Sequence, residues 1–140
     1  MNDIVINKIQ SIQRCVRRAR EEYQADPDGF ATNCTRQDAA LLNVLRACET
    51  AIYLANHVIR AYKLGIPVSS ADSFKLLRAE RIIDARLTER MEKMVGFRNT
   101  VIHQYTQVDI RIVKVVIVSE LDELLAFADR IREVVHGSAS

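Results

Sequence analysis

Apolar side chains recur at steps of three and four residues along four segments of this 140-residue chain. That spacing places the apolar side chains of each segment on one face of an α-helix. The four stripes run from Val5 to Tyr23, from Leu41 to Tyr62, from Leu87 to Tyr105 and from Ile110 to Val135. Because the connections are short, we predict an all-α fold, an up-and-down four-helix bundle with one short extra helix between residues 70 and 81.

Capping and turn residues mark the ends of these helices. Thr35 with Asp38 resembles a capping box at the start of the second helix, with Asp in place of the usual Glu. Gly65 is placed to end that helix, and a break near Asp84 precedes the third. The β-branched run at 113–118 is also compatible with a strand, but the helical period around it favours a helix.

Composition favours one folded domain in a reducing compartment. Hydrophobic residues make up 49% of the chain, which excludes intrinsic disorder. We expect a single domain over residues 1–136 and a disordered tail over 137–140.

The three cysteines (Cys15, Cys34, Cys48) have no CxxC spacing, so we expect small buried side chains and neither a disulfide framework nor a zinc site. The start of the chain has no signal-peptide pattern, and no apolar run approaches membrane-span length, so we expect a cytoplasmic protein without membrane association.

Two of the three histidines have structural interpretations. His136 follows Glu133 at the Glu-x-x-His spacing of di-iron bundles, but no second such motif occurs, so we expect no metal. A basic residue near a helix C-terminus interacts favourably with the helix dipole, which explains His136 better. His57 lies near the apolar stripe of the second segment, where we expect a hydrogen-bonded histidine at a helix or subunit contact.

The third histidine, His103, has an arginine and an asparagine close to it in sequence. Arg98 falls on the apolar stripe of the third segment, so its guanidinium must face an acidic partner or an open cleft. Arg98 and His103 are five residues apart, which on a helix leaves them about 140° out of line. They converge only if the helix ends near Ile102 or if the two groups come from different chains. The structural alternative is an arginine and a histidine paired to acidic residues inside the bundle.

These side-chain types together fit the cleavage of a phosphodiester. A guanidinium binds a phosphate bidentately and stabilises the charge that builds on it. A histidine exchanges protons near neutrality, and Asn99 could orient the imidazole or bind an oxygen. The sequence shows no carboxylate cluster that suggests magnesium. In RNA the adjacent 2′-hydroxyl supplies the nucleophile, so a metal-free cleavage needs only acid–base and electrostatic help.

The run Met94-Val95-Gly96-Phe97, followed by Arg98-Asn99-x-x-x-His103-x-Tyr105, resembles the HEPN superfamily and, within it, the HepT toxins. The likeness extends to the length of the chain and the order of its helices. It implies a HEPN-like bundle that forms a homodimer with two motifs facing one another across a cleft. It also implies a metal-independent endoribonuclease toxin of a type II toxin–antitoxin pair that needs no cofactor. In that case Arg98 and His103 are the catalytic pair, and Asn99 is a supporting polar residue.

The resemblance also implies a partner, a small MNT-type nucleotidyltransferase antitoxin that transfers AMP from ATP onto Tyr105. The adenylate would bring negative charge and bulk to the mouth of the cleft and repel RNA phosphate. This chain lacks the nucleotidyltransferase signature, in which Asp-x-Asp closely follows Gly-Ser, so we expect it to be the acceptor. Two alternatives stay open: a non-catalytic helical accessory partner of a nucleotidyltransferase, and a purely structural dimer adaptor.

Charge is nearly balanced overall, with a net charge of +2. This excludes a strongly basic protein of the kind that wraps nucleic acid, but it allows a local basic cleft. Two clusters are candidates to guide RNA toward the cleft: Arg14, Arg17 and Arg18, and Arg86, Arg90 and Lys93. Glutamates interleave with both clusters, which favours solvated helix faces for most of these residues.

Overall fold

The computed structural model describes the backbone of residues 3–139 and the side chains of residues 3–137. The α-helices are α1 (Asp3–Gln24), α2 (Cys34–Tyr62), α3 (Ser70–Ala79), α4 (Ala85–His103), α5 (Ile110–Val115) and α6 (Leu121–Ala139). A π-helical turn over Val116–Glu120 joins α5 to α6, and 3-10 turns lie at Phe30–Thr32 and Tyr105–Gln107. The long helices are α1, α2, α4 and the continuous α5–α6 unit, with α3 as the short extra helix. The predicted all-α four-helix bundle is confirmed.

The apolar stripes meet in one continuous core. Helix α1 packs along α2 and against α6, while α3 packs on α2 and α4. Phe74 of α3 and Phe127 of α6 are both fully buried and meet edge to face, with ring centroids 5.3 Å apart. Aromatic pairs favour this geometry because the positive ring edge faces the negative ring face. The short helix α3 is therefore anchored in the centre of the bundle.

The start of α2 differs from the prediction. The N-cap is Asn33, whose side chain accepts a hydrogen bond from the backbone N–H of Arg36. Thr35 and Asp38 lie inside the first turns of the helix. The predicted capping box is wrong, because the side chain of Asn33, and not that of Thr35, accepts from a free backbone N–H of the first turn. The Asp38 carboxylate is therefore available for a contact elsewhere, described below.

The end of α2 also comes earlier than expected. The helix ends at Tyr62, and Lys63 takes the left-handed conformation with φ 55° and ψ 51°. Gly65, predicted as the cap, lies two residues further on with φ +121°. The predicted break at Asp84 is confirmed, because its side chain caps α4 by accepting from the backbone N–H of Leu87.

The β-branched segment 113–118 is helical, as the period around it predicted. The π-helical turn Val116–Glu120 accommodates one residue more than an α-helical turn within this long helix. At its other end α6 continues through Ala139, whereas the sequence suggested a disordered tail over 137–140. Ser140 lies outside the described residues. A Gly-Ser-Ala sequence has weak helix propensity, and here the preceding helix extends into it regardless.

Cysteine burial follows the prediction only in part. Cys15 and Cys48 are buried, but Cys34, the first residue of α2, is exposed. Burial in an apolar environment disfavours the charged thiolate, and the nearby Glu49 adds to this, so the pKa of Cys48 rises to about 12. Over the described part of the chain, no helix combines the length and apolar character that crossing a bilayer requires.

Candidate active site

Arg98 on α4 is held from two neighbouring helices. Its Nη2 donates a hydrogen bond to Oγ of Ser70, the first residue of α3, at 2.9 Å. Its Nε lies 3.1 Å from Oε1 of Glu49 on α2. The Nε–H group has no acceptor in line with it, so the contact with Glu49 is an ion pair without a hydrogen bond. Only 17% of the Arg98 side chain is exposed. Glu49 is thus the acidic partner that the position of Arg98 on an apolar stripe required.

Arg98 also borders an open groove. The acidic partner and the open cleft, which the sequence offered as alternatives, are therefore both present. The groove lies between α1, α2 and α4 and has a volume of about 1040 Å³. Its lining includes four arginines and one glutamate: Arg14, Arg18, Arg46, Arg98 and Glu49. We call this feature the arginine groove. The exposed apolar side chains of Leu42 and Ile102 line it as well.

His103 is the last residue of α4 and is exposed. The helix is regular through this position, and the N–H of its cap residue, Gln104, donates to the carbonyl of Thr100. Arg98 and His103 therefore diverge by about 140° within one chain. Because His103 is still part of the helix, the helical spacing favours the other possibility, in which the two groups come from different chains. The alternative in which both residues pair with acidic groups inside the bundle is met by Arg98 but not by the exposed His103. Asn99 is also exposed.

Tyr105 lies beyond α4, in the 3-10 turn Tyr105–Gln107, and is 50% exposed. Its hydroxyl donates a hydrogen bond to Oδ1 of Asp38 on α2. This hydrogen bond, together with partial desolvation, raises the pKa of Tyr105 above its ordinary value. The prediction that the stripe of α4 continues to Tyr105 is wrong, because the helix has already ended and Ile102 is 52% exposed.

Three residues of the site were missed from the sequence: Glu49, Ser70 and Asp38. A signal existed for Glu49, which follows Leu45 by four residues and precedes Ile52 by three. A carboxylate at that spacing lies on the apolar stripe of α2 and needs a cationic partner. No local pattern marks Ser70 or Asp38, because their partners lie 28 and 67 residues away along the chain.

Most of the basic residues noted in the sequence are paired on the surface. The pairs are Arg17 with Glu21, Arg18 with Glu21 and Glu22, Arg86 with Glu123, Arg90 with Glu120 and Lys93 with Glu89. These pairs fit the expectation of solvated helix faces. Arg14 differs, since its side chain has no ion pair or hydrogen bond with any residue between 3 and 137.

The other two histidines lie away from this site. His136 is exposed in the last turn of α6, and His57 is half-buried on α2. Within the described residues, no group of three or more His, Cys, Asp or Glu side chains is arranged to hold a metal ion.

The helical bundle and the Arg-x-x-x-x-His motif at the end of α4 define a HEPN-type protein. The family model for Ribonuclease HepT-like proteins matches residues 12–131. The chain belongs to this HepT-like ribonuclease family.

Known relatives match nearly the whole chain. The mRNA nuclease HepT of Shewanella oneidensis is 42% identical over 132 residues, covering 94% of this chain and 98% of the relative. A solved structure of tri-AMPylated Shewanella oneidensis HEPN toxin in complex with MNT antitoxin has a TM-score of 0.90 and 42% identity, covering 95% of this chain and 99% of that one. A toxin–antitoxin structure with AMP-PNP has a TM-score of 0.89 and 41% identity, covering 94% and 99%.

Proposed function

We propose that this chain is the toxin of a type II toxin–antitoxin pair, a metal-independent endoribonuclease that acts in the cytoplasm. Arg98 and His103 are its catalytic residues, and Asn99 supports them. The main support for the proposal is the position of the Arg98 guanidinium, which contacts Glu49 and Ser70 at the edge of a groove. The resemblance to an mRNA nuclease over nearly the full chain supports the same activity.

The divergence of Arg98 and His103 supports a homodimeric active site. Within one chain the two side chains point about 140° apart. A second copy of the chain can reach both side chains, because His103 is exposed and Arg98 lines an open groove. In a symmetric dimer, Arg98 of one protomer serves His103 of the other. The half-exposed Ile102, one residue before His103, supplies apolar surface for such a contact.

The chemistry follows from these two side chains and the RNA itself. The 2′-oxygen attacks the adjacent phosphorus, and the bond from phosphorus to the 5′-oxygen of the next nucleotide breaks. His103 takes the proton of the 2′-hydroxyl or gives one to the departing oxygen. Arg98 donates to the phosphate oxygens, where negative charge builds in the transition state. The products are a 2′,3′-cyclic phosphate and a free 5′-hydroxyl.

Regulation is assigned to Tyr105, the acceptor of AMP from an MNT-type nucleotidyltransferase antitoxin. Tyr105 is 50% exposed and comes two residues after His103. An adenylate there adds a phosphate charge next to the site where RNA phosphate must bind, so it opposes cleavage. The solved structure of the tri-AMPylated Shewanella oneidensis HEPN toxin in complex with MNT antitoxin supports AMP as the modifying group.

Cleavage assays with His103→Ala test the nuclease assignment. Purified wild-type protein should cut RNA equally with and without EDTA, whereas His103→Ala should fold, dimerise and lose at least about 100-fold in rate. His136→Ala, a change at an exposed histidine on α6, is the matched control and should cut normally. A His103→Ala protein that cuts at the wild-type rate contradicts the proposal. RNA left intact in every arm favours a non-catalytic accessory partner instead.

Mass spectrometry tests the acceptor assignment. Incubation with an MNT-type nucleotidyltransferase and ATP should add adenylate to the wild type but not to Tyr105→Phe. Tyr53→Phe, which removes the hydroxyl of another exposed tyrosine, should be modified like the wild type. Adenylate on Tyr105→Phe in equal amount would place the acceptor elsewhere.

A further inference from the structure

The arginine groove contains two cations that the catalytic proposal does not use. Arg14 on α1 and Arg46 on α2 are both exposed and both line the groove beside Arg98. Across the part of the chain that the structure describes, neither guanidinium has an ion pair or a hydrogen bond. Most arginines of this protein instead pair with a neighbouring carboxylate, as Arg86 does with Glu123.

The charges that line the groove are strongly one-sided. Four arginines face one glutamate, and that glutamate is already paired with Arg98. Arg18, the remaining arginine, contacts Glu21 and Glu22. The uncompensated positive charge therefore lies on Arg14 and Arg46. Cations from two helices that converge on one concave surface raise the local concentration of an anionic ligand.

We propose that Arg14 and Arg46 bind backbone phosphates of the substrate RNA that flank the phosphate held by Arg98. This inference rests on the proposed nuclease function and adds the path of the RNA to it. A phosphodiester chain carries one negative charge per nucleotide, so it matches a row of separate guanidinium groups. The groove is continuous with Arg98, so an RNA strand bound there already delivers a phosphate to the catalytic arginine.

The proposed dimer brings a second copy of this chain to the edge of the groove at Arg98 and Ile102, and the alternative to RNA is that this copy covers the whole groove, including Arg14 and Arg46. Leu42 and Ile102, which are 47% and 52% exposed, add apolar surface to the groove that a partner protomer could cover. The arginines favour RNA, because a protomer covering them would have to bring carboxylates to each one or leave the cations buried without partners. A change of oligomeric state when Arg14 and Arg46 are substituted would indicate that a second copy, and not RNA, occupies this part of the groove.

Binding of a single-stranded 2′-O-methyl oligoribonucleotide, which lacks the attacking hydroxyl, tests the inference. The Arg14→Gln/Arg46→Gln double variant should bind it at least about 10-fold more weakly than the wild type. The slope of log K against log salt should fall by about 1.4 in magnitude, or about 0.7 for each lost phosphate contact. The matched control is Arg60→Gln/Arg78→Gln, which removes the same charge from two exposed arginines that do not line the groove. It should retain most of the wild-type affinity and slope.

Three outcomes would overturn the inference. The groove variant could bind with wild-type affinity and slope, the control could lose as much affinity as the groove variant, or light scattering could show that the groove variant alone has changed its oligomeric state. Cleavage separates the inference from the proposed function. If the wild type cuts RNA and the groove variant does so with an unchanged KM, the groove proposal fails alone. If nothing cuts RNA but binding changes as expected, the nuclease proposal fails alone.

Discussion

Arg98 and Glu49 form an ion pair that ties α4 to α2, with Nε of the arginine 3.1 Å from Oε1 of the glutamate. The arginine is mostly buried, whereas 53% of the Glu49 side chain is exposed. The pair is therefore partly screened by solvent, but it supplies the nearest negative charge to a largely desolvated cation. The contact therefore connects the packing of α2 against α4 with the position of a proposed catalytic group.

Replacing Glu49 with glutamine should destabilise the protein. We expect a loss of about 1 kcal/mol in the free energy of unfolding, because Arg98 stays buried without its counter-charge. Urea denaturation measures this loss. Glu89→Gln, which breaks an exposed pair with Lys93, is the control and should change stability by less than about 0.5 kcal/mol. Equal effects of the two substitutions would mean that the pair with Arg98 is an ordinary surface contact.

The hydrogen bond from Tyr105 to Asp38 predicts a pH dependence. The pKa of Tyr105 is higher in the folded protein than its ordinary value, so the protonated hydroxyl favours the folded state. The stabilisation is fully present below the ordinary tyrosine pKa of about 10 and is lost as pH rises through the higher folded value. Subtracting the ultraviolet titration of Tyr105→Phe from that of the wild type isolates this group.

Asp38→Asn provides the control for that titration. The asparagine retains an acceptor oxygen but removes the negative charge, so the pKa of Tyr105 should move back toward its ordinary value. Cys34, the other group that raises the pKa of Tyr105, is unchanged in this variant. A titration of Tyr105 that is the same with and without the Asp38 carboxylate would show that the contact is absent in solution.

Thiol reactivity should distinguish the three cysteines. Cys34 is exposed, so we expect a thiol reagent at mildly alkaline pH to modify it rapidly in the folded protein. Cys48 is buried with its pKa raised to about 12, so it should react only after unfolding, as should the buried Cys15. Mass spectrometry counts the modified thiols over time. Cys34→Ser should abolish the fast phase, and any fast phase that persists would show that a buried cysteine is accessible.

Truncating Phe74 to alanine should cost about 3–5 kcal/mol of stability, because the ring is fully buried against Phe127. Phe74→Leu leaves a smaller void and should cost less. Because α3 also supplies Ser70 to Arg98, RNA cleavage in the milder variant should fall if the position of α3 shifts. Thermal unfolding and cleavage rates measured on the same preparations separate the two effects. A Phe74→Ala protein as stable as the wild type would contradict the described packing.

The helices were predictable from sequence because each is encoded by its own local period. Leu87, Met91 and Val95 lie at steps of four, and all three are buried as that spacing requires. The residues that end a helix were harder to predict, because several side chains compete to cap one turn. At the start of α2, Asn33 caps the helix and leaves Asp38, a member of the predicted capping box, to accept a hydrogen bond from Tyr105.

The residues of the candidate motif could be predicted from the sequence, but their contacts with residues of other helices could not. The position of Arg98 on an apolar stripe predicted an acidic partner or an open cleft. The position of Glu49 on the stripe of α2 likewise indicates a cationic partner. Nothing local pairs the two, because the match is made only when α2 and α4 pack together. The convergence of Arg14 and Arg46 on one groove is likewise a property of helix packing, since 32 residues of chain separate them.

The position of Tyr105 in a single 3-10 turn between two longer helices has a consequence for any enzyme that modifies it. Among the described residues, the hydroxyl of Tyr105 has one side-chain hydrogen bond for such an enzyme to displace, to Asp38, and the backbone around it forms only a single 3-10 turn, so access to the phenol costs little conformational free energy. The modified residue can then reorient without disturbing the packed interior. A chemical group added there can alter the surface beside His103 while the rest of the molecule keeps its shape.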